Sequence, residues 1–445
     1  MNAISNEPDP SIASTQHFNR RCAGVALLWL LSASVLGQWL RPNPLDFGQF
    51  YMGGVVALHG AWEALYPIPL SRAWKNPGEP DTSMMRQRYA ELAEARGVGN
   101  TNRFMQFPPN ALLYAPFALL PYHPALVAWT GVMALCGWVV ALQAGWMYAM
   151  LAGRPTRVAG VIVLVMAFSP TIFRAVRAGQ VSPLVGLCIG ATALALSGRA
   201  DVRGAAVMSL GALIKYATLA LLPLAVLLGR WRMVAAAAAL GIGVTLLTLA
   251  VTGPAPFAEY FTEIAPRLNR SHPWDGNQSL QAFLLRSTSQ QPLSQTVMLT
   301  VRVAQYATLC GLLALLVSRR LLLRDSLPHQ FAAAAALVAW MLIFSPIAWY
   351  HYYPYLFPFW GWLAWEAQRG RVRTAAVVLI VLLAIWPWCA SPRLNLPEPF
   401  NSHLLWSTVL LLGLAVRSLA SSQSASELER VAGHHHRSVL ADVQQ

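Results

Sequence analysis

Arg41-Pro-Asn-Pro-Leu-Asp46-Phe-Gly-Gln-Phe-Tyr51-Met-Gly-Gly54, continuing to Leu65-Tyr66-Pro67, is the polar interval that follows the first hydrophobic run of this chain. An acid at the water edge of a membrane span is a functional candidate by default, and Asp46 stands at such an edge if residues 22–40 cross a bilayer. That run is 19 residues without a charge, enough for roughly 30 Å of hydrocarbon at about 1.5 Å per residue. The whole chain supports that reading. Of 445 residues, 56% are hydrophobic and only 11% charged, with a mean hydropathy of +0.46. So little polar surface excludes a water-soluble globule of this length and makes the chain an all-α polytopic membrane protein.

The net charge of +14 does not make it a nucleic-acid binder. Its cations fall in short clusters between apolar runs (Arg154/Arg157, Arg199/Arg203, Arg230/Arg232, Arg319/Arg320/Arg324, Arg369/Arg371/Arg373), the pattern of a positive-inside topology signal. Of the five cysteines, all but Cys22 lie well inside apolar runs (Cys136, Cys188, Cys310 and Cys389), and none forms a CxxC. No disulfide and no metal site is expected. Arg20-Arg21 precedes the first run and no small-residue cleavage pattern follows it, so that run is a retained helix rather than a cleaved signal.

The double arginine puts residues 1–21 inside, which leaves a first loop, 41–107, outside. Within it, residues 47–66 carry Phe50, Val55, Leu58, Trp62 and Leu65 at helical spacing and predict a short helix on the outer membrane surface. Ser83–Arg96 predicts another. Pro108-Pro109 opens a segment that Pro116 and Pro121 cut short. Counting back from the polar tail 421–445, residues 253–296, 347–352 and 390–402 fall outside. Arg199/Arg203 and Arg230/Arg232 both fall inside, so the run between them must break, and Lys215-Tyr216 is the place where two short crossings meet near the outer face. The same logic leaves Arg174, Arg177 and Gln180 outside. The count is about 11–13 spans, a single transmembrane domain over 22–420.

Of the external acids only Asp46 lies within a few residues of a span end among aromatic neighbours, Phe47, Phe50 and Tyr51, and it can serve as a general base on a hydroxyl. Its position equally fits the N-cap of the helix that starts at Phe47. Arg174, Arg177 and Lys215 are cations on the unexpected side of the membrane and ask for an anion, with phosphate the natural one. A snorkelling Lys215, or internal arginines under a different topology, would account for them otherwise. Ser345-Pro-Ile-Ala-Trp349-Tyr-His351-Tyr-Tyr-Pro354 is a tight turn with one His among aromatics, either an interfacial belt or a ligand contact. His272-Pro-Trp-Asp-Gly-Asn277-Gln278-Ser279 has the composition of a binding loop.

In order along residues 22–360, Asp46-Phe47 with Phe50-Tyr51, Phe107-Pro108-Pro109, Ser169-Pro170, Gly179-Gln180, Gly204 to Lys215, Arg230-Trp231, Asn277-Gln278-Ser279 with Arg286, and Ser345-Pro346 with Trp349 and His351 resemble glycosyltransferase family 87. That resemblance implies a GT-C-type bundle in a bacterial inner membrane with its active site facing the periplasm. It also implies transfer of a mannose-like hexose from a polyprenyl-phosphate sugar to a lipid or glycan acceptor, with inversion and without a cofactor. Asp46 matches the base. Lys215, Arg174, Arg177 and His351 match positions near the donor phosphate, and Tyr51, Gln180, Asn277, Gln278, Ser279 and Trp349 are candidates for substrate contact. Residues 68–103 are an insertion relative to some relatives. A lipid-linked-sugar flippase, which should show internal repeats, and a surface-polysaccharide polymerase or ligase are the alternatives.

Overall fold

The computed structural model describes residues 10–40, 42, 46–66, 86–98, 104–288, 293–385, 398 and 400–421. The described chain is helical throughout, with one isolated bridge, Asn277 to Trp349, as its sole β pairing. Six helices in it are long and apolar enough to cross a membrane: Ser11–Leu40, Tyr122–Ala152, Trp231–Thr252, Gln295–Ser318, Leu327–Phe344 and Phe400–Ala420. A seventh is the pair Arg157–Ala167 and Pro170–Arg177 if its 46° bend is counted within one span. The other apolar runs form shorter helices, among them Ser182–Gly198 and Tyr216–Leu227. The count of about 11–13 spans expected from the sequence exceeds the six or seven long helices among the described residues because it takes in such shorter segments.

The first helix begins at Pro10, well before the apolar run. Its polar start has a partner: Asn19 donates to the Thr156 carbonyl at 3.0 Å and accepts from the Gly160 amide at 3.1 Å. Near its other end the helix passes through a π segment at Ser32–Leu36. Gly37 follows, where a Cβ would collide with the Arg177 guanidinium.

The run between Arg203 and Arg230 is indeed broken. Helix Asp201–Ile214 ends at Lys215, whose backbone is extended (φ −152°, ψ 123°), and the chain returns through a 3-10 turn, Tyr216–Leu221, and helix Leu222–Leu227. Arg230 then closes the hairpin, 4.0 Å from Asp201 and donating to the Leu196 carbonyl at 2.8 Å. Carbonyls freed at a helix end must find donors inside the protein when no water is at hand. Asn110, just after the two prolines, supplies them at Leu213 (2.9 Å) and Ile214 (3.4 Å).

Phe47–Leu58 is a helix, but not one lying on a surface: every residue from Phe47 to Val56 is buried. Its Gly54 packs on the backbone of Tyr114, where a Cβ would stand 2.5 Å from the carbonyl oxygen, and Phe50 stacks on the Tyr114 ring at 4.9 Å. The helix expected over Ser83–Arg96 spans Gln87–Ala95. Arg86 ties it to the second large loop through Glu259 at 2.7 Å, and also donates to the Glu63 carbonyl. Burial raises the Glu259 carboxyl above its ordinary range, and Arg86 opposes that shift.

Helix Trp360–Gln368 lies against Tyr122–Ala152 so closely that a Cβ on Gly361 would strike the Ala144 carbonyl. Overpacking of this kind costs about 1–3 kcal/mol. Gly361→Ala should therefore lower the thermal midpoint of the detergent-solubilised protein clearly, whereas Gly413→Ala, with open space around it, should leave it unchanged.

Candidate active site

Four irregular stretches meet at one end of the bundle, and each carries a residue that the sequence singled out. The first is Asp46. It occupies the N-cap position of helix Phe47–Leu58 (φ −115°, ψ −26°), yet its side chain makes no capping hydrogen bond. Capping is thus not what the carboxylate does. Its backbone amide donates to the Ala178 carbonyl at 3.1 Å, which stitches it to the second stretch.

That second stretch ends helix Pro170–Arg177. Ser169 caps the helix, its hydroxyl accepting from the Thr171 amide at 3.2 Å, and Pro170 sits at the first turn. The helix stops at Gly179, in the left-handed region (φ 72°), where a Cβ would lie 2.6 Å from that of Phe47. Only glycine meets both demands. Trp129 clamps the turn by donating to the Gly179 carbonyl at 2.8 Å. The short helix delivers Arg174 and Arg177 in its last turn. Arg174 lies over the Tyr350 ring at 5.9 Å, while Arg177 tucks against Gly37 of the first helix. Gln180 is buried, and its side-chain oxygen accepts no hydrogen bond.

The third is the break at Lys215. Its ammonium sits 4.0 Å from the centre of the Tyr352 ring, a cation–π contact that shelters a charge otherwise costly among apolar helices. The fourth is the turn Tyr350–Tyr355, in which His351 is buried with Tyr350 and Tyr352 edge-on at 5.2 and 4.9 Å. Both ring nitrogens of His351 lack a hydrogen-bond partner. The Asp46 charge acts on Lys215, Tyr350 and Tyr352, and the Lys215 charge acts on His351. An acid, two cations and an imidazole thus share one aromatic-walled site.

Asn277, Gln278 and Ser279 have a different place. All three are buried. The Asn277 side chain accepts from the Ala348 amide at 2.9 Å and donates toward His272 and Pro346 carbonyls at 3.1 and 3.2 Å. Gln278 donates to the Asp275 and Asn401 carbonyls at 2.6 and 2.7 Å and accepts from the Leu404 amide at 3.2 Å. Ser279 donates to Pro346 at 3.2 Å. Their hydrogen bonds hold the His351 turn in place. Trp349, half-buried, pairs with this loop through the Asn277 bridge and lies 5.6 Å from Trp274. Tyr51 likewise spends its hydroxyl inside the protein, on the Leu120 carbonyl at 2.8 Å.

Tyr350, Tyr352 and Asn110 escaped the sequence reading. The two tyrosines flank His351 and looked like an interfacial belt, and nothing in a Pro-Pro-Asn string points to a helix end a hundred residues away.

Residues 106–346, more than half of the chain, match the family model described as Glycosyltransferase family 87. The chain belongs to glycosyltransferase family 87. No curated protein and no solved structure matches it. The family-87 match contains Arg174, Arg177, Gln180, Lys215 and the Asn277–Ser279 loop. Asp46, Tyr51, Trp349 and His351 lie outside it.

Under the loop, Arg286 donates to the Trp274 and Asn277 carbonyls, both at 2.8 Å, to Ser402 at 2.7 Å and to Glu398. The Arg286 and Glu398 side chains are only 8% and 14% exposed. Removing one partner of a buried pair costs about 3–5 kcal/mol. Arg286→Met should therefore destabilise the protein strongly in a melting experiment, and Arg88→Met, which breaks an exposed pair, should be close to neutral.

Proposed function

We propose that this family-87 glycosyltransferase moves a hexose, mannose-like in kind, from a polyprenyl-phosphate sugar to a hydroxyl of a lipid-linked or envelope glycan. In this reading it works in a bacterial inner membrane with the Asp46 end of the bundle facing the periplasm. The observation that carries the proposal is the Asp46 carboxylate, which does not cap its own helix although it stands at the N-cap and which acts electrostatically on Lys215. A base for the acceptor and a cation for a phosphate leaving group are then present together.

The step balances without a further reactant. Asp46 takes the proton of the acceptor O–H, and the oxygen forms a bond to the anomeric carbon from the face opposite the phosphate. The bond from that carbon to the phosphate oxygen breaks, its electron pair stays on the phosphate, and the anomeric configuration inverts. The polyprenyl phosphate that leaves gains a negative charge. Lys215, held on the Tyr352 ring, and Arg174, held over Tyr350, supply fixed positive charge for it. His351, with both ring nitrogens open to a partner, serves as a hydrogen-bonding contact to the donor. Gln180, whose side-chain oxygen is also without a donor, is suited to a sugar hydroxyl. Asn277, Gln278, Ser279 and Tyr51 act indirectly in this scheme, by positioning the turn and the helix that carry the reacting groups.

General-base catalysis is worth roughly 10²–10⁴-fold in rate. In proteoliposomes supplied with polyprenyl-phosphate sugars, Asp46→Asn should lose transfer by that order while keeping its melting temperature. Lys215→Met should lower donor turnover with little change in the KM for acceptor. Full activity of the asparagine variant would remove Asp46 from the role of base.

A further inference from the structure

Gln49 stands in helix Phe47–Leu58, three residues after Asp46, and has no part in the reaction proposed above. It is only 5% exposed, and its side-chain oxygen accepts no hydrogen bond among the described residues. A buried acceptor left without a donor carries a desolvation cost that an apolar side chain of similar volume would not. Gln180, the residue after Gly179, shares this condition. The Ala178 carbonyl that receives the Asp46 amide holds the two stretches together.

The helix decides which way Gln49 faces. A turn of about 100° per residue puts it about 60° from Asp46 and about 40° from Gly53 around the axis. Phe47, Phe50 and Gly54 occupy another side, closed by Trp129 and Tyr114. At Gly53 a Cβ would stand 2.5 Å from the Phe104 ring, so Phe104 borders the side that carries Gln49. Tyr66 lies beside Phe104, ring centres 6.0 Å apart, and donates to the Gln106 carbonyl at 2.8 Å. Phe107 follows, edge-on to Tyr260 at 5.3 Å. An unpaired carboxamide oxygen next to a carboxylate, with aromatic rings beyond it, has the make-up of a site for a polyhydroxylated ring. Gln180, by contrast, follows the helix that carries Arg174 and Arg177.

In an inverting displacement the acceptor approaches the anomeric carbon from the side away from the phosphate, which is the side of its base. Resting on the function proposed above, we infer that Gln49 selects the acceptor: its side-chain oxygen accepts from the hydroxyl next to the one that Asp46 deprotonates. The acceptor is then a sugar or cyclitol with neighbouring hydroxyls rather than an alcohol with one. A site that commits a buried polar group to a substrate hydroxyl rejects the analogue lacking it, because that group is left unpaired.

The test is Gln49→Met, close in volume and unable to bond a hydroxyl. Binding of octyl mannoside, glucoside and galactoside, of their monodeoxy analogues and of octanol is measured on the protein in nanodiscs, and transfer to each is measured in proteoliposomes supplied with polyprenyl-phosphate sugars. The variant should keep its melting temperature, since it loses only an unpaired oxygen. Its affinity for the octyl hexoside that binds best to the wild type, and its acceptor KM, should weaken about tenfold with the donor KM unchanged. For one monodeoxy analogue, variant and wild type should bind alike, which identifies the hydroxyl that Gln49 reads. A lowered melting temperature with unchanged acceptor affinity, an equal loss for every analogue and for octanol, or a wild-type protein that binds none of the three octyl hexosides would overturn the role of Gln49. Binding that follows the expected pattern without transfer from any polyprenyl-phosphate sugar would keep that role and reject the donor class proposed for the enzyme.

Discussion

A chain embedded in hydrocarbon can leave its helices only where other parts of the protein satisfy the backbone it exposes. The site depends on that constraint. Asp46 precedes a helix, Arg174 and Arg177 precede the Ala178–Gly179 turn, Lys215 interrupts a helix, and His351 lies in a 3-10 turn. Each break is held by a donor or acceptor from a distant stretch: Asp46 on Ala178, Trp129 on Gly179, Asn110 on Leu213 and Ile214, Asn277 on Ala348. These four breaks thereby gather at one end of the bundle, and that is where groups able to do chemistry can collect.

The electrostatics follow from the same confinement. Burial disfavours the Lys215 ammonium, and the face of Tyr352 and the charge of Asp46 oppose that cost. In the proposed reaction a donor phosphate would meet a cation whose shelter is already built, so little reorganisation would be required at the moment of bond breaking. By contrast, the tight Arg286–Glu398 pair is enclosed and bonded also to Ser402 and two carbonyls. These bonds run entirely to the protein, and the work of the pair is mechanical.

The membrane-spanning character and the break at Lys215 were legible in the sequence because both follow from the spacing of charges along an apolar chain. The run between Arg203 and Arg230 is too short for two full crossings, and a hairpin bent at its one cation is what forms. The depth of the Phe47–Leu58 helix was not legible: its apolar periodicity suits a membrane surface, but Gly53 and Gly54 let Phe104 and Tyr114 close over it. Nor could composition separate a ligand-binding loop from a structural one. Asn277, Gln278 and Ser279 have the polar, glycine-adjacent look of a binding loop, yet their hydrogen bonds reach the backbone of Pro346, Ala348, Asn401 and Leu404, far away in sequence. Conversely, Tyr350 and Tyr352 resemble any interfacial aromatic pair until Arg174 and Lys215 are seen on their rings.

The proposed reaction depends most directly on the joint service of Asp46 and Lys215 to one bound donor. A cryo-electron-microscopy map of the protein with a non-transferable polyprenyl-phosphonate sugar would measure it. The expected map has phosphonate density in contact with Lys215 and the anomeric carbon turned toward the Asp46 carboxylate. A sugar ring bound away from Asp46, or a phosphonate held by cations at the opposite end of the bundle such as Arg199 and Arg203, would contradict it.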